Sequence, residues 1–286
     1  RRRNGFIAFI SASSLIGIAL GVMALILGLS AMNGFERELK NRVLSVVPHG
    51  ELIGMEAPLP DWPRLRDYLL AQPGIEAAAP VIRLDGLLEH GSAIKGVQVR
   101  AVLPELEANL SDAGNYMTGL GFRELQAGEH GVILGKTIAD KLGVKIGDPV
   151  TLLLPQGGDE TGIKNPRRET LTVVGLLEIG GQLDGVLGFM HLADAQSITG
   201  MGSAVEGFSL KVNDVLKAQS ITVAAARKFP HYVYISSWMS RQGYLYQDIQ
   251  MVRTVMYVVM LMVVAVACFN IVSTLVMAVN EKRSEI

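Results

Sequence analysis

The sequence predicts an α+β domain of two lobes, exported from the cell and carried on two membrane-spanning helices that extend as stalks. Three observations predict it. Residues 5–32 form a run of 28 without Asp, Glu, Lys, Arg or His, and residues 254–279 form a second such run of 26. A bilayer core of about 30 Å needs roughly 20 apolar residues in a helix, so each run can cross it with room for tilt. The 221 residues between them alternate short strand-like and helix-like stretches, with no internal repeat or low-complexity tract.

The first run could be read as a signal peptide, with Arg1–Arg3 as its basic flank and Leu29-Ser30-Ala31 as a weak cleavage site. A signal core spans about 7–15 residues, and this run is nearly twice that, so it reads as an anchor. Two spans place both chain ends on one side. Arg1–Arg3, Lys282 and Arg283 abut the outer edges, which places the ends in the cytoplasm. Arg37, Lys40 and Arg42 argue the other way but weigh less, because large domains translocate largely regardless of charge. The expected organisation is a cytoplasmic flank at 1–4, span one at 5–32, the exported domain with its stalks at 33–253, span two at 254–279, and a cytoplasmic segment at 280–286.

The exported part carries 21 basic and 25 acidic residues, a net of about −4, which excludes a broad basic surface for nucleic acid. The lone cysteine, Cys268, lies inside span two. The domain therefore has no disulfide in an oxidising compartment and must be held by its own core, which its size permits.

The spans should leave the membrane as helices. Phe35, Leu39, Val43 and Val46 keep a helical period after span one, up to Pro48. Ser236 or Ser237 is a plausible N-cap for the helix leading into span two, and Tyr244, Tyr246 and Tyr257 suit the membrane interface. Between the stalks, Asp61-Trp62-Pro63 opens a helix to Ala71. Residues 75–89, 94–103, 132–134, 150–154, 169–177, 186–191, 205–212 and 233–235 read as strands, and 192–199 and 214–228 as helices. The lobe boundary is expected near residues 104–128. The Gly-rich segment Pro155–Pro166 reads as a solvated loop joining two strands or as a protrusion that contacts a partner.

One stretch, GVILGKT at Gly131–Thr137, looks like a phosphate-binding loop. The functional loop needs four residues between its glycines so that backbone N–H groups can curl around a phosphate, and here there are three. It reads as a strand, Val132–Leu134, turning at Gly135 into a short helix, Lys136–Gly143. The histidines His49, His90, His130, His191 and His231 form no metal motif, and Asp184 sits in a Gly-rich turn where turn chemistry explains it. No nucleophile–base constellation is present, so the chain reads as a non-enzyme, with no metal site and no cofactor of its own.

The spans carry more information. Gly17, Gly21 and Gly28, with Ala24, give span one a small-residue face suited to close helix packing. Met256, Met260, Met262 and Met277, with Met251 just outside, give span two a soft face that adapts to varied apolar ligands or simply meets lipid. Asn270 is a polar residue in hydrocarbon and should face another helix or a cavity, which places span two in a bundle with helices from other chains.

Residues Ile16–Leu52, Ala139–Asp148 and Tyr244–Ile286 together carry a resemblance. Their segments SAMNGFERE, VVPHGE and ACFNIVSTLVMAV resemble the lipoprotein-releasing permeases, a branch of the type VII (MacB-like) ABC permeases, and most closely the E-type subunits of the Lol complex. The resemblance implies a periplasmic domain on two stalk helices, from a four-span permease of which this chain is a fragment. It implies a bacterial inner-membrane complex with a C-type permease and two ATPase subunits, ATP and Mg being bound by the latter. That complex takes a lipoprotein substrate from the membrane and passes it to a periplasmic lipoprotein chaperone. The chaperone would dock on the other permease, whose hook lies at the place matched by Pro155–Pro166 and is not repeated here. Acyl chains would sit between spans one and two of the paired permeases, against Asp248, Met251, Val252, Val255, Met256 and Met260, with Leu29, Met32 and Asn33 opposite. Glu281, Lys282 and Arg283 would couple to the ATPase. A relative that drives efflux or regulates cell-wall hydrolases, or a two-span sensor receptor, would share the same outline.

Overall fold

The computed structural model describes residues 2–38, 45–56, 58–155 and 165–283, with side chains left undescribed at 2–14, 35–38, 216, 241–250, 270, 274–275 and 277–283. The chain divides into two compact units: residues 1–40 with 242–286, and residues 41–241.

The first helix, α1 (Arg2–Glu38), continues past the apolar run as expected. The helical period does not carry on to Pro48. Ser45–Val47 form a turn, and Gly50–Gly54 form a strand, β1, that the sequence reading did not foresee. The intervening residues 39–44 lie outside the described residues, as do residues 156–164 of the Gly-rich loop.

The elements of the larger unit follow in chain order: α2 (Trp62–Leu70), β2 (Ile75–His90), β3 (Ala93–Val102), α3 (Pro104–Leu110), β4 (Gly131–Gly135), α4 (Lys136–Leu142), β5 (Pro149–Leu154), β6 (Arg167–Leu177), β7 (Leu187–His191), α5 (Leu192–Thr199), β8 (Gly207–Val212), α6 (Ala218–Arg227) and β9 (Val233–Ser237). The last helix, α7, runs from Trp238 to Arg283. Its start is capped reciprocally: the Ser240 N–H donates to Ser237 Oγ at 3.3 Å and the Ser237 N–H donates to Ser240 Oγ at 2.9 Å. This satisfies one orphan donor of the first turn and holds the chain entering it.

Two lobes exist, and they divide differently from the expectation. The strands follow the order β3-β7-β4-β6-β5-β2-β8-β1-β9, and β3 also pairs with β2. That extra pairing closes β2, β3, β7, β4, β6 and β5 into a six-stranded barrel, which removes sheet edges. The remaining lobe is an antiparallel sheet of β2, β8, β1 and β9. Both lobes use β2: residues from Ile75 to Val81 pair with β8, and those from Ile82 to His90 pair with β3. The barrel is thus inserted into the sheet lobe, leaving it midway along one strand and returning at β8. Residues 104–128 are no boundary. They form α3 and two short 3-10 turns whose Ala113, Phe122 and Leu125 cover the outside of the barrel.

Alternation builds both sides of the barrel wall. Val132 and Leu134 of β4 and Met190 of β7 join the main core, with Val97, Val99, Leu152, Leu171 and Val173. Ile133, Leu187 and Phe189 point the other way, into the outer cluster, where Phe122 and Phe189 meet edge to face with centroids 5.2 Å apart. In the sheet lobe, Leu65 and Leu69 of α2 and Ala225 of α6 join Leu52, Phe208 and Leu210 in the main core.

The GVILGKT stretch is β4 followed by α4, as the residue spacing predicts. Its five strand residues are buried, and a Cβ at Gly135 would collide with the Asp184 carbonyl oxygen. Gly135 is therefore required by a backbone approach within the fold. Asp184 does the turn chemistry expected of it, accepting the Ile179 N–H at 3.0 Å and the Gly180 N–H at 2.9 Å. Gly135→Ala forces that turn away from β4 and is expected to cost about 1–3 kcal/mol, measured as a lower thermal midpoint of the purified protein.

Candidate functional site

The apolar windows among the described residues lie at Leu15–Gly34 on α1 and Met251–Ser273 on α7. The helices run antiparallel, and two contacts one heptad apart define the register. Gly28 lies against Met256, whose Cε occupies the space a Cβ would need. Gly21 lies against Val263, whose Cγ1 is 3.4 Å from where a Cβ would be. Between them Leu25 is buried. Half-buried positions follow on both helices in steps near three and four: Ile18, Gly21, Gly28, Leu29 and Met32 on α1, and Arg253, Met256, Val263 and Ala267 on α7. This is the periodicity of a coiled-coil seam, with glycines as the holes and Met256 as a knob.

The seam sorts the residues expected to hold acyl chains or pack helices. Gly21 and Gly28 pack against the chain's own second span, while Gly17 meets nothing within 4 Å. Met256 belongs to the seam. Met251 (69% exposed), Val252 and Val255 lie on one flank of it and Met260 on the other, all exposed. Leu29 and Met32 are half-buried and Asn33 is exposed. The side chains of Asp248, Asn270, Glu281, Lys282 and Arg283 lie outside the described residues. Away from the seam, Leu15, Ile16, Leu20, Met23, Val258, Leu261, Met262 and Phe269 are exposed as well. Helices apolar on every face are stable only against lipid or further protein.

The larger unit holds a charge cluster that the sequence reading did not find. Arg83 and Arg100 are direct cross-strand neighbours on β2 and β3. Their neighbours Ile82, Leu84, Val99 and Ala101 point into the core, so both arginines point out of the barrel, towards the sheet lobe. Like charges placed opposite one another repel, and carboxylates answer them. Arg100 Nη1 donates to Glu51 Oε1 of β1 at 2.5 Å, and its Nη2 donates to Ser209 Oγ of β8 at 2.7 Å. Arg83 Nη2 donates to Glu206 Oε1 at 2.8 Å, and its backbone N–H to Glu206 Oε2 at 2.6 Å. A third carboxyl, Glu107 of α3, is buried beside them and accepts from Ser111 Oγ at 3.3 Å. Burial pushes Glu107 above the usual carboxylate range, against the pull of the Arg100 charge and the Ser111 hydrogen bond. Burial likewise holds Arg100 below its ordinary value, opposed by Glu107. The sequence signal was slight: a lone Arg in the apolar run of β3, whose partner lies in the unforeseen strand β1.

Three of the five histidines serve the fold. His49 Nδ1 accepts from the Val212 N–H at 3.1 Å, His90 Nδ1 lies 3.1 Å from the Leu142 carbonyl, and His191 Nδ1 accepts from the Ala193 N–H at 3.1 Å to cap α5. Among the described residues no group of His, Cys, Asp and Glu is placed to hold a metal. A cleft of about 710 Å³ opens between α3 and the turns after it, lined by Pro104, Glu105, Ala108, Phe122, Leu125 and His191.

Two apolar helices flank an α+β domain with an inserted barrel, and the MacB-like periplasmic core domain family matches residues 11–228. The lipoprotein-releasing system transmembrane protein LolE of Haemophilus influenzae is 41% identical over 291 residues, covering the whole chain and 70% of that protein. LolC of Neisseria meningitidis serogroup B, which bears the same system's name, is 35% identical and covers the whole chain and 69% of that protein. The chain belongs to the lipoprotein-releasing system permeases of the type VII ABC class. It is a membrane protein with a periplasmic domain, and its relatives are transmembrane subunits. The periplasmic region of MacB from Actinobacillus actinomycetemcomitans aligns with a TM-score of 0.39 at 11% identity, over 73% of this chain and 97% of that one.

Two expectations follow. With Cys268→Ser as background, Gly21→Cys with Val263→Cys should form an intrachain disulfide on mild oxidation, seen as a mobility shift reversed by reductant. Arg100→Met takes from the buried Glu51 carboxylate its 2.5 Å guanidinium partner and should cost about 3–5 kcal/mol, read as a lower thermal midpoint; adding Glu51→Met should recover part of the loss.

Proposed function

We propose that this chain is the E-type permease of an ATP-driven complex in the bacterial inner membrane. The complex takes lipoproteins out of that membrane and releases them to a periplasmic chaperone. The supporting observation is the uncovered apolar flank beside the seam, at Met251, Val252 and Val255, where an adaptable Met lies among β-branched residues. The 41% identity to a lipoprotein-releasing system protein supports the same reading.

In this reading the α1–α7 pair forms half of a chamber and a C-type permease supplies the other half. Acyl chains lie against Met251, Val252, Val255 and Met260, with Leu29, Met32 and Asn33 at the upper part of α1. Asp248 meets the polar or N-terminal part of the cargo. Burying hydrocarbon is worth about 0.8 kcal/mol per CH₂, so a multiply acylated protein does not leave a bilayer unaided. The chamber binds the chains and then collapses, driven by two cytoplasmic ATPase subunits that hold ATP and Mg and act on Glu281, Lys282 and Arg283. This chain supplies binding and motion, and the hydrolysis belongs to its partners. The chaperone docks mainly on the C-type subunit.

Photo-crosslinking residues placed at Met251 and Met260 in the assembled complex should capture lipoprotein, and ATP should reduce the capture. An active complex with no capture at either position would reject the chamber assignment.

A further inference from the structure

The charge cluster around Arg100 holds three carboxyl groups, Glu51, Glu107 and Glu206, against two guanidinium groups, Arg83 and Arg100. Contact distances match them unequally. Arg100 is committed to Glu51 and Ser209, and Arg83 to Glu206, with Glu51 Oε2 also 3.9 Å from Arg83 Nη1. Glu107 is left over. It is 1% exposed, its Oε1 has the Ser111 hydroxyl, and its Oε2 is buried without a hydrogen bond. A carboxylate so placed would carry a buried charge with no direct ion pair, offset only in part by the Arg100 charge, whereas a neutral acid would not.

We propose that Glu107 is a proton-operated switch in the link between the two lobes: as a neutral acid it leaves Arg100 to Glu51, and as a carboxylate it competes with Glu51 for the Arg100 guanidinium. The proposal concerns the periplasmic domain alone and stands apart from the chamber assignment.

Among the charged groups around Glu107, the Arg100 charge of β3 acts on it directly; α3 packs on β2, which carries Arg83, and on β8, which carries Ser209 and follows Glu206, and Glu51 of β1 is reached through Arg100. The helix of Glu107 itself adds Ser111 beyond its C-terminus and the exposed Glu105; the turn after it adds Arg123 and Glu124 on the solvent side. Ionisation therefore has one buried cation within reach that is not already held by two oxygens of one carboxylate, and that cation is the one joining barrel to sheet. The outer side of α3 walls the cleft through Pro104, Glu105 and Ala108. Ionisation that draws α3 towards Arg100 would move one wall of that cleft, which is how the proton of Glu107 would be felt at the surface.

The sign follows from the direction of the shift. The folded state holds the Glu107 proton more tightly than the unfolded chain, whose ordinary value is 4.5. Stability from this group is complete below that value and is lost as pH rises through the folded-state titration.

Difference infrared spectroscopy on the purified full-length protein in lipid nanodiscs should show, at neutral pH, the carbonyl stretch of a protonated carboxylic acid that disappears in Glu107→Gln. Hydrogen exchange of Pro104–Leu110, corrected for intrinsic rates, should accelerate as pH rises through the loss of that band and should stay level in Glu107→Gln. Glu51→Gln leaves Arg100 free to hold Glu107, so the band should vanish at lower pH. A wild-type protein lacking the band at neutral pH overturns the proposal. So does a Gln variant whose α3 exchange follows the wild-type pH profile, or a Glu51→Gln titration that does not move downward.

Discussion

An arginine with almost no access to water joins the two halves of the periplasmic domain. Arg100 leaves the barrel on β3 and ends on Glu51 and Ser209 of the neighbouring sheet. Desolvating a guanidinium is costly, and the cost is recovered only when its geometry is fixed on both sides. The arrangement therefore makes the lobes interdependent: a barrel displaced from the sheet leaves a buried cation and a buried carboxylate each without its partner. The shared strand β2 makes the same demand through covalent bonds, since its first half belongs to the sheet and its second half to the barrel. A closed barrel and an open sheet are thus bound to one another by a buried ion pair and by a shared strand.

The helical unit follows a different logic. Hydrophobic burial cannot hold one apolar helix to another in lipid, so close packing has to. Glycine at positions 21 and 28 lets Val263 and Met256 approach α1, and the heptad spacing repeats the fit. One face of each helix is used up inside the chain and the rest stays apolar and bare, which suits a pair that works against other helices and against lipid tails. Met256 illustrates the division: a methionine that reads as cargo-facing in the sequence is engaged in packing, while Met251 and Met260, on either side of it, remain available.

Much of this was legible in the residues, for identifiable reasons. Long uncharged runs marked the two helices that are long and apolar enough to cross a membrane, because a bilayer imposes a length. Strands such as β2, β3 and β6 were legible because alternation and β-branched residues coincide there. GVILGKT was recognisable as a strand and short helix because one missing residue breaks a phosphate loop, and the structure adds the reason for its second glycine. Strand β1 was hidden because GELIG is short and comes directly after a helical period that reads up to Pro48. The lobe boundary was misplaced because an insertion midway along a strand leaves no mark in composition: β2 reads as one uninterrupted strand and is one. The Arg100 cluster joins residues 49 and 109 positions apart, a pairing that only the closed barrel brings about.

The strands at which the periplasmic domain begins and ends lie side by side, with Gly50 opposite Ser237, and the Trp238 N–H donates to the His49 carbonyl at 3.2 Å. The polypeptide therefore enters and leaves at the same end of one antiparallel ladder of five residue pairs. Loads arriving together along both connections travel into the domain in parallel and leave that ladder unstrained. A pull that draws the two connections apart loads the Trp238–His49 bond first and then the ladder one pair at a time, whereas unequal pulls along the strands shear all its pairs together. The chain's way into the domain and its way out are thus fastened to each other at the doorway.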